Sequence, residues 1–345
     1  MNNRIPNRRP QPATLRVGGA QEILVVLKDF GIDSDEVLNE AGIHPALFDD
    51  PGNLITYAAR DRLFKKCVAR TECQHFGLLV GQRMNLQSLG LVGFLMKTSL
   101  SAGAALDSLV NYLRLHSQGA ATTLTVDGDM VILAYDVIEP GLQAIDQTGD
   151  GAVAMMLNVM RSLCGPAFKS TEASFAHRSP EDIEPYRKLF RCPIYFDAQR
   201  YSLVFAREWL DVRPPAADSE VQQLLRKQID ALMTEHSLEF PEQVRNVLRS
   251  ALMTGHASEE QIASLFSMRA HTFSRRLQAS GSSFHELVDE CRCEIAKQML
   301  RNTSLNVAQI STYLGYSRSS TFIRAFRRWT DSTPAKWRAN HFGDV

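Results

Sequence analysis

The spacing of apolar positions changes along the chain and divides it into segments of different character. In residues 56–70 (TYAARDRLFKKCVAR) and 101–118, apolar residues stand three and four apart, the period of a helix with one buried face. Residues 21–30 and 34–41 read as shorter amphipathic helices, the first ending before Gly31. The period then shortens to two. The segment 122–137 (TTLTVDGDMVILAYDV) alternates around Asp127-Gly128, a dipeptide that readily supplies positive φ, and so predicts a hairpin. A long helix at about 142–163 follows, then strands at 171–177, 193–196 and 201–205 with a helix at about 180–190. Helices segregated from hairpins predict an α+β domain over 15–210. The pattern breaks at 206–220, where Pro214-Pro215 and small polar residues mark a domain boundary.

From Glu220 onward only helices are predicted. A connecting helix at about 219–236 lies in a linker region, 211–238, and an all-α domain covers 239–340. One helix runs from Pro241 to near Gly255. Ser258-Glu259-Glu260-Gln261 and Ser283-Phe284-His285-Glu286 read as capping boxes, and Asn306 with Gln309 plays the same part. Thr333-Pro334 places a cap before a proline at the first helical position.

An internal repeat organises this half. Gln261-Ile262-Ala263-Ser264-Leu265-Phe266-Ser267-Met268 recurs 48 residues on as Gln309-Ile310-Ser311-Thr312-Tyr313-Leu314-Gly315-Tyr316. Thr272-Phe273-Ser274-Arg275 then corresponds to Thr321-Phe322-Ile323-Arg324, shifted by one. Each copy is a short helix, a tight turn and a second helix rich in Arg and hydroxyl residues. This is the plan of a helix-turn-helix, predicted at about 258–279 and 306–328. Between them, Phe284, Leu287, Val288, Cys291, Ile295, Met299 and Leu300 form one apolar stripe on a linker helix at about 283–301, with Glu294 toward solvent. A rigid linker would let one chain place two second helices in successive major-groove segments, about 34 Å apart.

Charge adds to this picture. The chain carries 38 Lys/Arg and 38 Asp/Glu, yet residues 261–345 hold 12 basic against 6 acidic, leaving 26 against 32 for the rest. A basic C-terminal end on an acidic body suits a nucleic-acid partner. Residues 1–14, with three prolines and three arginines, read as a disordered arm that either stays solvated or touches phosphate. No apolar run approaches the roughly 18–20 residues that span a bilayer, and the N-terminus lacks the apolar stretch of a secretory signal. No membrane association is therefore expected. The six cysteines form no C-x-x-C pair and read as reduced thiols of a cytoplasmic protein. Neither a phosphate-binding loop nor a nucleophile elbow is present, and His285-Glu286-Leu287-Val288-Asp289 lacks the second His of a zinc peptidase. Cys291 and Cys293 lie about 200° apart around a helix, which does not suit one metal. The sequence predicts a non-enzyme with no cofactor and no metal.

Residues 239–340 resemble the AraC/XylS DNA-binding domain, through ASEEQIASLFSMRAHTFSRRLQASGSSFHELVDECR, QISTYLGYSRSSTFIRAFRRWT and TPAKWR. HFGLLVGQRMNLQSLGLVGFLMKTSLSAGAAL and YRKLFRCPIYFDAQRYSLVF are similar to the regulatory domain of the ornithine-utilisation type of AraC regulator. Three positions depart from the pattern: Ser267 and Asp331 stand where glycine is usual, and Arg269 where a small N-cap residue is usual. The resemblance implies transcription activation through promoter DNA and RNA polymerase, with an N-terminal domain for effector binding or self-association.

Helical geometry and this resemblance together select side chains. Ala270, His271, Ser274 and Arg275 on the first second-helix, and Ser319, Ser320, Ile323 and Arg324 on the other, face base edges. Gln278, Arg327 and Arg328 suit phosphate. Phe273, Leu277, Phe322 and Phe326 belong to the core, with Trp329 and Trp337 as anchors. Tyr112, Leu115 and His116, on one face of the 101–118 helix, are effector-pocket candidates, and His177, following the strand at 171–176, could line the same pocket. Two other readings stay open: an N-terminal domain that only dimerises, and an enzyme with a DNA-binding appendage.

Overall fold

The computed structural model describes residues 12–235, 240–253, 257–266 and 268–341. Of the arm expected over 1–14, residues 1–11 lie outside these, and Thr14 already opens a strand. That strand, β1 (Thr14–Arg16), pairs antiparallel with β2 (Leu54–Thr56). Between them lie α1 (Gln21–Asp29) and α2 (Ser34–Glu40). After β2 come α3 (Tyr57–Thr71), α4 (Phe76–Arg83), α5 (Leu91–Lys97) and α6 (Ala102–Tyr112).

The helix predicted over 101–118 stops at Tyr112, with a single 3-10 turn at Leu113–Leu115. Its next residues are drawn to β1 instead: Arg16 N donates to His116 O at 2.9 Å and Gln118 N to Thr14 O at 2.8 Å. Backbone pairing outside the helix thus overrides the helical period. The hairpin forms as β3 (Ala120–Asp127) and β4 (Met130–Val137), in the register Asp127↔Met130. Its turn residues are therefore Gly128 and Asp129, one place later than expected, with Gly128 at φ +57°.

Next come α7 (Ile145–Cys164), β5 (Glu172–Ser174), α8 (Glu184–Phe190), β6 (Ile194–Tyr195) and β7 (Tyr201–Ala206). The five strands form one sheet in the order β3-β4-β7-β5-β6, antiparallel except for β5–β6. β5 is shorter than predicted: Phe175 N still donates to Tyr195 O at 2.8 Å, but the carbonyls of Phe175 and His177 accept from Ala198 and Asp197 in the loop after β6. Helix α7 is the spine of the domain. Its glycines meet those of α4 so closely that a Cβ on Gly77 or Gly81 would run into the backbone of Gln147 or Gly151. One apolar cluster (Leu106, Leu133, Leu157, Phe205) and a second (Ile23, Leu38, Leu63, Phe76) meet along this helix.

The connecting helix α9 (Ser219–Glu235) packs with the N-terminal domain. Leu225 and Ile229 are buried in its first cluster, and Asp230 accepts from Tyr112 OH at 2.8 Å. Among the described residues the C-terminal domain has seven helices: α10 (Phe240–Met253), α11 (Glu259–Leu265), α12 (Ala270–Ala279), α13 (Phe284–Asn302), α14 (Val307–Tyr313), α15 (Ser319–Thr330) and α16 (Pro334–His341). The three capping boxes read from sequence all form, at Ser258/Gln261, Ser283/Glu286 and Asn306/Gln309. Phe273, Phe322, Phe326 and Trp337 join α13's stripe in one core.

The sequence assigned Glu294 to a solvent face of α13, but none of residues 291–303 is exposed. The second face is covered by the regulatory domain. Gln298 Nε2 donates to Val137 O at 3.3 Å and an Arg301 guanidinium nitrogen to Leu142 O at 3.0 Å. Arg249, from α10, reaches Ile138 O. Arg178 N donates to Asn302 O at 3.0 Å, and its guanidinium reaches the carbonyls of Arg301 and Thr303 at 3.2 and 3.3 Å.

Candidate nucleic-acid interface

Two units of one design sit at the ends of α13: α11 turning into α12, and α14 turning into α15. Gly315, in the second turn, has φ +77°, a conformation natural to glycine. Its counterpart Ser267 lies outside the described residues. Asp331 takes the left-handed position, φ +55°, that ends α15.

The second helices differ from their supports at the N-terminus. The helices α11, α13 and α14 carry full capping boxes, whereas α12 and α15 begin at Arg269 and Arg318 with no side-chain cap. Their first-turn N–H groups have no side-chain acceptor, a state that suits phosphate oxygens.

On α12, His271, Arg275 and Gln278 are exposed and Ala270 is half-buried, while Phe273 and Leu277 are buried. The Ser274 hydroxyl is hydrogen-bonded to Glu259 at the start of α11. This contact braces the two helices of the unit and occupies a residue assigned to base reading. Neighbouring Arg276 lies 4.2 Å from the Phe240 ring, a cation–π contact that pins α12 to α10. On α15, Ser320, Arg324 and Arg327 are exposed, Ser319 and Ile323 half-buried, and Phe322 and Phe326 buried. Among the described residues, Arg275, Arg324 and Arg327 have no carboxylate partner. Arg328 does: it donates to Asp289 of α13 at 2.6 Å, so it ties α15 to the linker helix.

The pocket candidates separate. Tyr112 is turned to Asp230, and Leu115 packs on the first regulatory cluster. His116 lines a cavity between the two clusters. His177 is buried in a polar cluster instead. Its Nε2 is 2.8 Å from Asp150 Oδ1, its Nδ1 is 2.7 Å from Arg178 O, and Tyr186 OH donates to Asp150 Oδ2 at 2.6 Å. Burial pushes His177 down, but the Asp150 charge and hydrogen bond, with Asp146 and the Arg178 carbonyl, raise it to about 9.

Sequence reasoning missed Arg60, Asp150 and Arg178. A signal existed for Arg60: it falls on the same helical face as Tyr57 and Phe64, where a charge is out of place. For Arg178 there was none, because its partners lie over 120 residues away.

Two uncapped, Arg-bearing helices held on one braced linker helix define a DNA-binding protein of the double helix-turn-helix class. The arabinose-binding N-terminal domain of AraC transcription regulators matches residues 31–214, and a helix-turn-helix domain matches residues 262–340. The regulator VirS of Mycobacterium tuberculosis is 28% identical over 327 residues, covering 91% of this chain and 93% of its own. The ornithine utilization regulator of Pseudomonas aeruginosa is 24% identical over 326 residues, covering 93% and 95%. The transcriptional activator CfaD of Escherichia coli is 30% identical over 98 residues, covering 28% and 37%. The chain belongs to the AraC family of transcription regulators and is a helix-turn-helix DNA-binding regulator. No helix among the described residues is long and apolar enough to cross a membrane.

Proposed function

We propose that this chain activates transcription in the cytoplasm, binding promoter DNA through α12 and α15 in two adjacent major-groove segments and engaging RNA polymerase. It has no catalytic role in this reading. The observation that carries it is the matched pair of exposed faces on α12 and α15, one containing Arg275 and the other Arg324. Ala270, His271 and Arg275, with Ser319, Ser320, Ile323 and Arg324, face base edges. Gln278 and Arg327 serve phosphate, and Ser274 and Arg328 hold the reading helices in place through Glu259 and Asp289. The name of CfaD as an activator supports activation. The N-terminal domain senses a small effector or joins two copies, and its docking on α13 gives it a handle on the spacing of the two units.

The test separates reading from holding. Arg324→Ala loses about 1–3 kcal/mol of preference for cognate over scrambled DNA. Arg327→Ala weakens both alike and makes the salt dependence shallower by about one charge. Titrations of both DNAs across salt concentrations measure this. Identical changes in the two variants contradict the assignment.

A further inference from the structure

The N-terminal domain has a partly open cavity of about 80 Å³ at the seam of its two apolar clusters, between α1, α3, α4, α7 and the turn after α6. Its wall is divided by chemistry. Ile23, Val80, Leu89 and Met155 make an apolar part, while Arg16, Arg60 and His116 gather with Ser117 and Thr148. Among the described residues no Asp or Glu lines it.

Among the described residues, two nitrogen atoms of this polar part have no partner, although the Arg60 guanidinium also meets the Tyr135 hydroxyl that lines the cavity. His116 is 7% exposed, and its Nδ1 is buried with no hydrogen bond. The Arg60 Nε is likewise buried and unmatched. One terminal nitrogen of Arg60 reaches Thr148 Oγ1 at 3.3 Å, and the guanidinium lies 4.6 Å from the Tyr57 ring centre. Among the described residues it has no carboxylate within ion-pair distance. Arg16 spends its Nε on Leu115 O and one terminal nitrogen on Gly52 O, and it too lacks an acidic partner there. Burial, then the charges of Arg16 and Arg60, press His116 down to about 4. The ring therefore faces the cavity neutral at pH 7. Arg60 is half-buried with no counter-charge beside it, and a buried donor without an acceptor is costly. An anion with a compact apolar body supplies both at once.

We propose that this cavity is a binding site for a small organic carboxylate, its carboxyl group held by Arg60 and His116 and its hydrocarbon part against Ile23, Val80 and Met155. The carboxylate accepts from Arg60 Nε, and His116 Nδ1 in its protonated tautomer donates to the other oxygen. Arg16, which is exposed while also lining the cavity, sets positive charge at its rim. This rests on the reading of the N-terminal domain as a sensor and names the class of ligand it senses.

Calorimetry on the full chain tests it with butyrate, hexanoate and benzoate, each against its amide and its amine counterpart. The expected result is binding of at least one carboxylate, with its amide and amine weaker by roughly tenfold or more, the scale of a lost charge-assisted hydrogen bond. Arg60→Gln loses that binding by a similar factor, Arg60→Lys keeps part of it, and His116→Ala weakens it. Circular dichroism of each variant establishes that it is folded. No heat from any carboxylate overturns the proposal, as does undiminished binding by folded Arg60→Gln. Amides binding as tightly as acids overturn the carboxylate class and leave a sensing domain standing. Absence of any ligand, with promoter binding intact, leaves the DNA-binding reading standing alone.

Discussion

Asp150 is 1% exposed and accepts from both His177 and Tyr186, so the middle of α7 carries a charged group inside an apolar core. Asp146 on α7 and Tyr201 on β7 complete the titratable surroundings of His177. With both ring nitrogens on acceptors, the imidazolium is the matched form. Its folded pKa of about 9 exceeds the unfolded 6.5. The stabilisation it contributes is therefore fully present below about pH 6.5 and is lost as pH rises through about 9. The shift corresponds to about 3 kcal/mol. His177→Gln should be less stable by a margin that shrinks between pH 6.5 and 9, as urea unfolding at a series of pH values would reveal. A margin that does not change over this range contradicts a charged His177. At this scale the C-terminal half was the more legible. Phe273, Phe322 and Phe326 are fully buried, as their periodicity implied. His177 was not legible, because a buried ion pair leaves no periodic trace when its partner Asp150 stands 27 residues away. The same holds for Arg328. Its position near a helix end suggests phosphate, and only the fold reveals Asp289 beside it.

Among the elements, α13 departs furthest from its sequence pattern. The apolar stripe was readable and its residues are in the core, but over residues 291–302 the opposite face is half-covered as well. Polar side chains there, such as Gln298 and Arg301, look solvent-facing to any local rule, yet they bond to backbone carbonyls of the hairpin strand and the loop after it. The C-terminal carbonyls of α13 lie where the helix dipole is negative, and the Arg178 guanidinium sits on them. Arg178→Ala should speed amide hydrogen exchange at 303–305 by roughly an order of magnitude, the effect of losing one or two hydrogen bonds from a charged donor. Exchange there equal to that of the unaltered chain would show that the Arg178 guanidinium does not hold this end of the linker helix. The helix at 101–118 teaches a related lesson. Its period was helical throughout, but β1 captured residues 116–118. That capture also turns His116 into the cavity instead of leaving it on a helix face with Tyr112.

At the scale of the whole molecule, the charge division of the sequence becomes a spatial one. The basic end, 12 Lys/Arg against 6 Asp/Glu over residues 261–345, holds α12 and α15, and the acidic remainder holds the cavity and the sheet. The α+β and all-α halves were both legible, since each rests on local periods and caps. Their contact was not, because it is made by scattered side chains without a pattern. The central claim is that one chain reads two major-groove segments, α12 in one and α15 in the next. Guanine-N7 methylation protection on a DNA fragment selected by the full chain tests it most directly. Two protected clusters are expected about 10 base pairs apart on one face of the duplex. Arg275→Ala should erase one cluster and Arg324→Ala the other. A single cluster, or loss of the same cluster in both variants, would contradict the account.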